Sequence, residues 1–465
     1  MREKAIYGWK LTESGESMRA VPISVVPGIE WPALLSPQGA ARLSLMYQLD
    51  QSQWWPPEII KQQQFIQIHQ LLTHAFHTTR FYRHRLQDAG FNPKTRVTPE
   101  VFSVIPLLQR EDIQLHLADM NSTAVPKDHG RVGYTESSGS TGKPVRIHST
   151  SLSQFFWHAM TLRDHLWHDR DFTRNHAEIR VGVGDRTGKN WGYAVKVAFE
   201  SGPSLMLDIK EPMDRQIQWI QEHRPAYLLT YPSNLREMAG RCLEQGIDFP
   251  GLIEMRAFGE TVTEETREIC RQAWGVGVKD MYSAMEIGYM ALQCPGHEHY
   301  HVMSEGVFLE VLDDQGLPCR PGEIGRVVVT DLHNFATPLI RYEILDYAEV
   351  GEPCPCGRGL PVLKRILGRQ RNMLRLPDGT CQWPAFSPRK WPHADRIQQV
   401  QIVQKALDHL VVRLVVHFPL APEDEQAITR IIHDRSGHPL RVGFEYVDTI
   451  EKPKNFKFDI FVSEL

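Results

Sequence analysis

Between residues 175 and 290, short apolar runs alternate with amphipathic stretches, and this alternation constrains the fold more than any other feature of the chain. The apolar runs at 178–183, Tyr227–Thr230 and 255–258 have strand length. The intervening stretches 213–223, 233–245 and 263–274 carry helical periodicity. Strands alternating with helices at this spacing predict a parallel α/β sheet. Upstream, Ile59, Ile60, Phe65, Ile66, Ile68, Leu71, Leu72 and Phe76 recur at helical spacing, so 57–90 reads as helical. Beyond residue 300 the texture becomes β-rich, with Val307–Leu312 and 326–330 separated by Asp-Asp-Gln-Gly and Pro-Gly-Glu-Ile-Gly turns. From about 370 a small α+β module follows: β-rich runs at 400–403 and 410–417, a helix around 422–434, and a last run at 443–447.

The charge balance, 52 Lys and Arg against 56 Asp and Glu, argues against a nucleic-acid or membrane-surface partner. No apolar run approaches the roughly 18 residues of a membrane helix, and the N-terminus lacks a secretory pattern, so a cytoplasmic location is expected. Seven cysteines in 465 residues do not form a disulfide framework.

Residues 134–147 read Tyr-Thr-Glu-Ser-Ser-Gly-Ser-Thr-Gly-Lys-Pro-Val-Arg-Ile. Gly139 and Gly142 permit a tight backbone whose N–H groups converge on anionic oxygens. Ser137, Ser138, Ser140 and Thr141 add hydroxyls, and Lys143 adds charge. The Walker spacing is absent, since residue 137 is serine. On its own such a cluster is more often a polar surface turn than a phosphate loop.

The loop resembles the phosphate loop of the adenylate-forming superfamily: acyl-CoA ligases, peptide-synthetase adenylation domains and luciferases. In the expected order follow Tyr282-Ser-Ala-Met-Glu286, similar to that superfamily's aromatic-x-x-x-Glu motif, then Gly322-Glu-Ile-Gly325, Arg341-Tyr-Glu-Ile-Leu-Asp346 and Gly368-Arg369. Phe81-Tyr82-Arg83, the 105–113 segment, Tyr231-Pro232-Ser233, Phe258-Gly259-Glu260 and Cys-Pro-Cys-Gly-Arg-Gly-Leu-Pro at 354–361 resemble the phenylacetate–CoA ligases and their relatives in capsule-biosynthesis clusters. The resemblance covers roughly residues 55 to 465. It implies a large adenylation domain, 1–369, with parallel sheets, helices and a β-rich subdomain, and a small mobile α+β domain, 370–465, hinged at Arg369.

The implied reaction joins a carboxylic acid to ATP as acyl-AMP, releases pyrophosphate, and passes the acyl group to a thiol, coenzyme A above all. Charge neutralisation and in-line positioning supply that catalysis. By resemblance, residues 137–143 wrap the phosphates, Glu286 contacts Mg²⁺, and Asp346 holds the ribose hydroxyls. Arg369 reaches ribose or phosphate, and Gly259, Glu260, Tyr282 and Ser283 form the adenine pocket, with Tyr282 stacking on the purine. Lys457 stands where the family's C-terminal catalytic lysine stabilises the α-phosphate. Three departures accompany these matches: Phe456 replaces a glycine before that lysine, Leu345 a glycine before Asp346, and Met285 a small residue before Glu286.

Cys354 and Cys356, in one tight turn, could share an ion with Cys294 and His301, or with His297 or His299 in place of His301, if paired strands between 300 and 350 bring the loops together. Some members of the branch look similar here, which implies a structural zinc; the alternative is free thiols beside a histidine-rich loop. For the acyl group, Trp157, Trp191 and Tyr193 are candidate walls of a slot for a flat acid, although aromatics at helical spacing also serve as core. A carrier protein or an amine as acceptor, a homodimer, and a nucleotide-binding scaffold without catalysis all remain compatible with the sequence.

Overall fold

The computed structural model describes residues 20–136, 145–369, 372–384, 386, 388, 391–451 and 458–465. The described residues divide into two compact units, Met1–Ile344 with Ala348–Ile366, and Leu345–Tyr347 with Leu367–Leu465.

The first unit is built on the expected alternation. Strands Ser204–Asp208, His176–Arg180, Tyr227–Thr230, Glu254–Phe258 and Val278–Ala284 lie side by side and parallel, in that spatial order. Helices Met213–His223, Pro232–Gln245 and Glu264–Trp274 make the crossovers. Local chemistry sets their ends: the Thr263 side chain caps the last helix by accepting from the Thr266 N–H, and Gly275 ends it at φ +68°, a left-handed backbone that suits glycine. At Val278–Ala284 the sheet changes character. The next strand, Gly288–Gln293, returns antiparallel, followed by Tyr300–Val302 and Val362–Arg369, also antiparallel to their neighbours. The β-rich region is therefore the other half of one continuous twelve-stranded sheet among the described residues, ending in Tyr342–Val350, Ile324–Asp331 and Val307–Leu312.

The helical reading of 57–90 resolves into two helices, Pro57–Thr78 and Arg80–Asp88. Thr79 breaks them with an extended backbone, and its hydroxyl caps the second by accepting from the Tyr82 N–H. Ile68, Leu71 and Leu72 of the first helix are sealed against Val327, Val329 and Leu339 of the antiparallel half.

The second unit carries a four-stranded sheet in the order Arg441–Tyr446, His409–Val416, Ile397–Ala406, Phe461–Ser463, covered by helix Pro422–Ser436. Ile402, Leu410, Val412, Leu414, Ile428 and Ile432 form its core. The helix has Glu423, Asp424 and Glu425 in its first turn and His433 and Arg435 in its last, which complements its dipole.

Candidate active site and metal cluster

In an α/β sheet, loops leaving the carboxyl ends of the parallel strands form the ligand crevice. Phe258 pairs with Met281 on the neighbouring strand, so the Gly259–Glu260 turn leaves its strand beside Tyr282–Ser283, which continue in strand Val278–Ala284. Gly259 turns at φ +77°. The Glu260 carboxylate accepts from the Ser233 N–H (2.8 Å) and hydroxyl (3.0 Å), so its side chain ties this turn to the start of helix Pro232–Gln245. Tyr282 is buried, with only an edge open.

The turn after Val278–Ala284 carries Glu286 into a cleft of about 50 Å³. Thr135 and Ser149 line the same cleft; they belong to the antiparallel strands Val132–Glu136 and Arg146–Thr150, which the 137–144 segment joins. Residues 137–144, and Lys457, lie outside the described residues. Met285 is half exposed at the cleft edge. Gly288 is needed nearby for its backbone alone: it sits at φ +105°, which L side chains rarely adopt, while a Cβ there would make only ordinary contact with the Trp157 ring.

Of the three aromatic candidates, only Trp157 lines this cleft. Tyr193 is exposed and packs against His158 at 5.0 Å. Trp191 is 7% exposed and wedged among His165, Phe172, His176 and Tyr227, with its indole N–H donating to the Arg174 carbonyl at 2.9 Å. That ring is core, because every face of it meets another side chain.

Two cleft residues escaped the sequence reading. Asp331 ends strand Ile324–Asp331, and its Oδ1 accepts from the His333 N–H (3.0 Å) and the Asn334 N–H (3.3 Å). Burial pushes its carboxyl up to about 7, against the pull of those two amides. His333 stacks on Phe156 with centroids 3.9 Å apart, and its Nε2 lies 2.8 Å from the Glu305 carbonyl. Burial lowers this imidazole to about 4, so it is neutral, and a carbonyl partner fixes the proton on Nε2. An acid and a histidine two residues apart, just past a strand end, were the available signal.

Asp346 and Arg369 both belong to the second unit, 3.7 Å apart. Leu345 sits at φ +67°, the left-handed backbone for which glycine is suited.

The cysteine candidates converge. Strand Tyr300–Val302 pairs on one side with Gly288–Gln293 and on the other with Val362–Arg369, so that pairing, and not one within 300–350, brings the Cys294 and Cys354 loops together. One ligand atom from each of Cys294, His299, His301 and Cys354 lies within 4.8 Å of the others. Cys356 lies beside this group of four, its Sγ 3.4 Å from His301 Nε2. The Cys294 and Cys354 sulfurs are 3.8 Å apart, far beyond a disulfide. It matches the separation of about 3.8 Å that a tetrahedron with Zn–S of ~2.3 Å requires. Buried His299 Nε2 has no hydrogen-bond partner, and burial holds His301 near 3, in the neutral form a metal requires.

Against known proteins, residues 386–464 match the CapK C-terminal domain. The chain is 27% identical over 350 residues to the phenylacetate-coenzyme A ligase of Thermus thermophilus, covering 71% of this chain and 74% of that one. It is 25% identical to the enzyme of the same name from Pseudomonas putida, covering 68% and 72%. Staphylococcus aureus protein CapK matches at 24% over 44% of this chain and 45% of its own. In structure, 2-hydroxyisobutyryl-CoA ligase in the postadenylation state superposes with a TM-score of 0.70 at 18% identity, covering 89% of this chain and 91% of that one. The fold is thus that of the adenylate-forming ligases. In sequence the chain is similar to the phenylacetate–CoA ligases and, over its C-terminal part, to CapK. No helix among the described residues is long and apolar enough to cross a membrane.

Proposed function

We propose that the protein is an AMP-forming acid–thiol ligase using ATP and coenzyme A. The observation that carries this reading is the shared cleft: Glu286 faces the two strands that residues 137–144 join. In the first step an oxygen of the acid's carboxylate attacks the α-phosphorus of ATP, and the bond to pyrophosphate breaks. In the second a thiolate attacks the acyl carbon, and AMP leaves.

Residues 137–144 supply backbone N–H groups and Lys143 to the phosphates, and Lys457 offsets charge at the α-phosphate. Tyr282 stacks on adenine beside the Gly259–Glu260 turn, with Ser283 next to it. Asp346 accepts from the ribose hydroxyls, with Arg369 beside it. Glu286 would hold Mg²⁺; it suits a hard cation because it is an oxygen donor and no Lys or Arg among the described residues lines its cleft. Bound there, the ion would neutralise phosphate charge. We place the domain boundary at Arg369, with rotation of the small domain between the steps. Zinc would be held by Cys294, Cys354 and His301, with His299 or Cys356 as the fourth ligand, and would pin the two loops. Zinc analysis of purified protein tests this, and a metal-free protein of unchanged melting temperature overturns it.

Pyrophosphate release with a panel of acids, with and without coenzyme A, tests the reaction. Acid-dependent release without coenzyme A, followed by acyl-CoA when it is added, is expected. Acyl transfer to a carrier protein or an amine alone would replace the acceptor, and silence across the panel would overturn the reading. Lys457→Ala should slow adenylation by about 10²-fold or more while sparing thioester formation from supplied acyl-AMP.

A further inference from the structure

The cleft beside Glu286 contains a carboxylate that the described chain leaves half used. Asp331 is 7% exposed, and its Oδ1 takes both backbone N–H groups of the 331–334 turn. Its Oδ2 accepts no hydrogen bond from the described residues, and the residue lines the cleft. No Lys or Arg among the described residues lines that cleft, so none of these neutralises the charge. A carboxylate oxygen that opens into a narrow cleft, with no donor from the described residues, is met there by solvent or by a ligand. Such an atom is kept where a ligand satisfies it.

A second acceptor stands two residues away. The proton of His333 is committed to the Glu305 carbonyl, which leaves Nδ1 as a lone pair. Glu305 is itself anchored: its carboxylate accepts from both Arg163 nitrogens, at 3.0 and 3.1 Å, and from the Ser52 hydroxyl at 2.5 Å. Phe156 holds the imidazole ring flat, with planes 11° apart. Trp157, Met160 and Val307 add apolar wall. The cleft therefore presents two fixed acceptors, with Thr135, Ser149, Ser153, Gln154 and Asn334 as its other neutral polar lining.

That chemistry selects its occupant. The carboxylate of an acid substrate is repelled by Asp331 and reacts at the α-phosphate, so the end that meets Asp331 is the other one. A second divalent cation needs several oxygen ligands, and among the described residues Asp331 has no two metal-ligating side chains grouped with it. What fits is a group that donates hydrogen bonds. Resting on the adenylation reading above, we propose that the activated acid carries an ammonium or hydroxyl substituent. This cleft would receive that substituent, with Asp331 as the specificity-determining acceptor and His333 as the second. An unsubstituted acid such as phenylacetate leaves Oδ2 unpaired and is discriminated against.

The test pairs isosteres. Phenylacetate, 4-methylphenylacetate, 4-hydroxyphenylacetate and 4-(aminomethyl)phenylacetate are titrated into the full-length protein by calorimetry and assayed for pyrophosphate release, with wild type and with Asp331→Asn. The variant can keep its Oδ1 under the two backbone amides, so it preserves the turn while removing the charge and turning an N–H₂ toward the cleft. In wild type the hydroxyl or ammonium acid should bind at least about tenfold more tightly than the methyl acid. In Asp331→Asn the ammonium preference should fall to about one, and the hydroxyl preference should fall less, because a hydroxyl also accepts. Equal binding of all four acids to wild type overturns the inference. So does a preference that survives the substitution, or a variant whose only change is a raised KM for Mg-ATP. A binding preference without pyrophosphate release upholds the inference and sinks the adenylation reading; release with no preference does the reverse.

Discussion

Asp164 and Asp331 are both buried carboxylates of the first unit, and the fold treats them in opposite ways. Asp164 lies in helix Ser151–Trp167, where its Oδ2 accepts from Arg170 and Arg256, each at 2.7 Å. Arg170 also reaches Glu254 at 2.6 Å, at the start of one parallel strand, and Arg256 lies on that strand. Burial opposes ionisation of Asp164, but Arg170 and Arg256, with His168 and His165, outweigh it and hold the carboxyl far below its usual range. Asp331 has burial and two amides, no cation, and a raised value. One carboxylate is balanced by residues of the fold; the other is not. The difference separates burial that serves the sheet from burial that awaits a ligand.

The largest expected effect comes from breaking the balanced case. Asp164→Ala leaves Arg170 and Arg256 buried around a missing charge, and should cost about 3–5 kcal/mol in equilibrium urea unfolding. Asp331→Asn, which removes an uncompensated charge, should stay within about 1 kcal/mol of wild type at pH 7, or gain. A larger loss from Asp331→Asn than from Asp164→Ala would erase the distinction.

Titration sharpens the same contrast, with opposite signs. Asp331 is raised on folding, from an ordinary value near 4 to about 7, so between those limits the folded state binds more protons than the unfolded one. Its contribution to stability should fall as pH rises through that window, by at most about 1.4 kcal/mol per unit, and then level off. Asp164 is depressed, so its contribution is complete above roughly pH 4 and is lost only below it. Asp280, pushed up to about 7 by burial against a hydrogen bond from Tyr300, adds a slope like that of Asp331. The wild-type slope is therefore not specific to one residue. The difference between wild type and Asp331→Asn, measured at pH 5 and pH 8, isolates Asp331, and parallel pH profiles would contradict the assignment.

What could be read from the chain follows from which signals are local. The parallel half was legible because strand and helix periods alternate along 178–274, and Glu286 because it sits four residues after Tyr282 in a recognisable motif. The sequence offered His297, His299 and His301 as alternatives for one ligand, and only the pairing of Tyr300–Val302 with Val362–Arg369 shows which loops meet and groups both His299 and His301 with the cysteines. Asp331 and His333 were hidden by the valine run at 327–329, and the ring that orients His333 comes from Phe156, 177 residues earlier. Trp191 misled for the converse reason: an aromatic beside polar residues reads as a pocket wall, and only the packing of His165, His176 and Tyr227 around it shows a filled core.

The smallest expected effect tests whether backbone cost obeys the same division. Leu345 holds φ +67° next to Asp346, a conformation that costs a non-glycine residue roughly 1–2 kcal/mol. Leu345→Gly should relieve that strain, while the added freedom of glycine in the unfolded chain returns about 0.5–1 kcal/mol of the gain. The side chain is only half-buried, so little packing is lost. The net change should be a stabilisation of less than about 1 kcal/mol, seen as a small rise in the urea midpoint. Such a rise puts Leu345 with Asp331, as a cost the fold carries without compensation beside a site. A loss above about 1 kcal/mol would mean that the leucine's contacts outweigh its strain, and would move it to the side of Asp164.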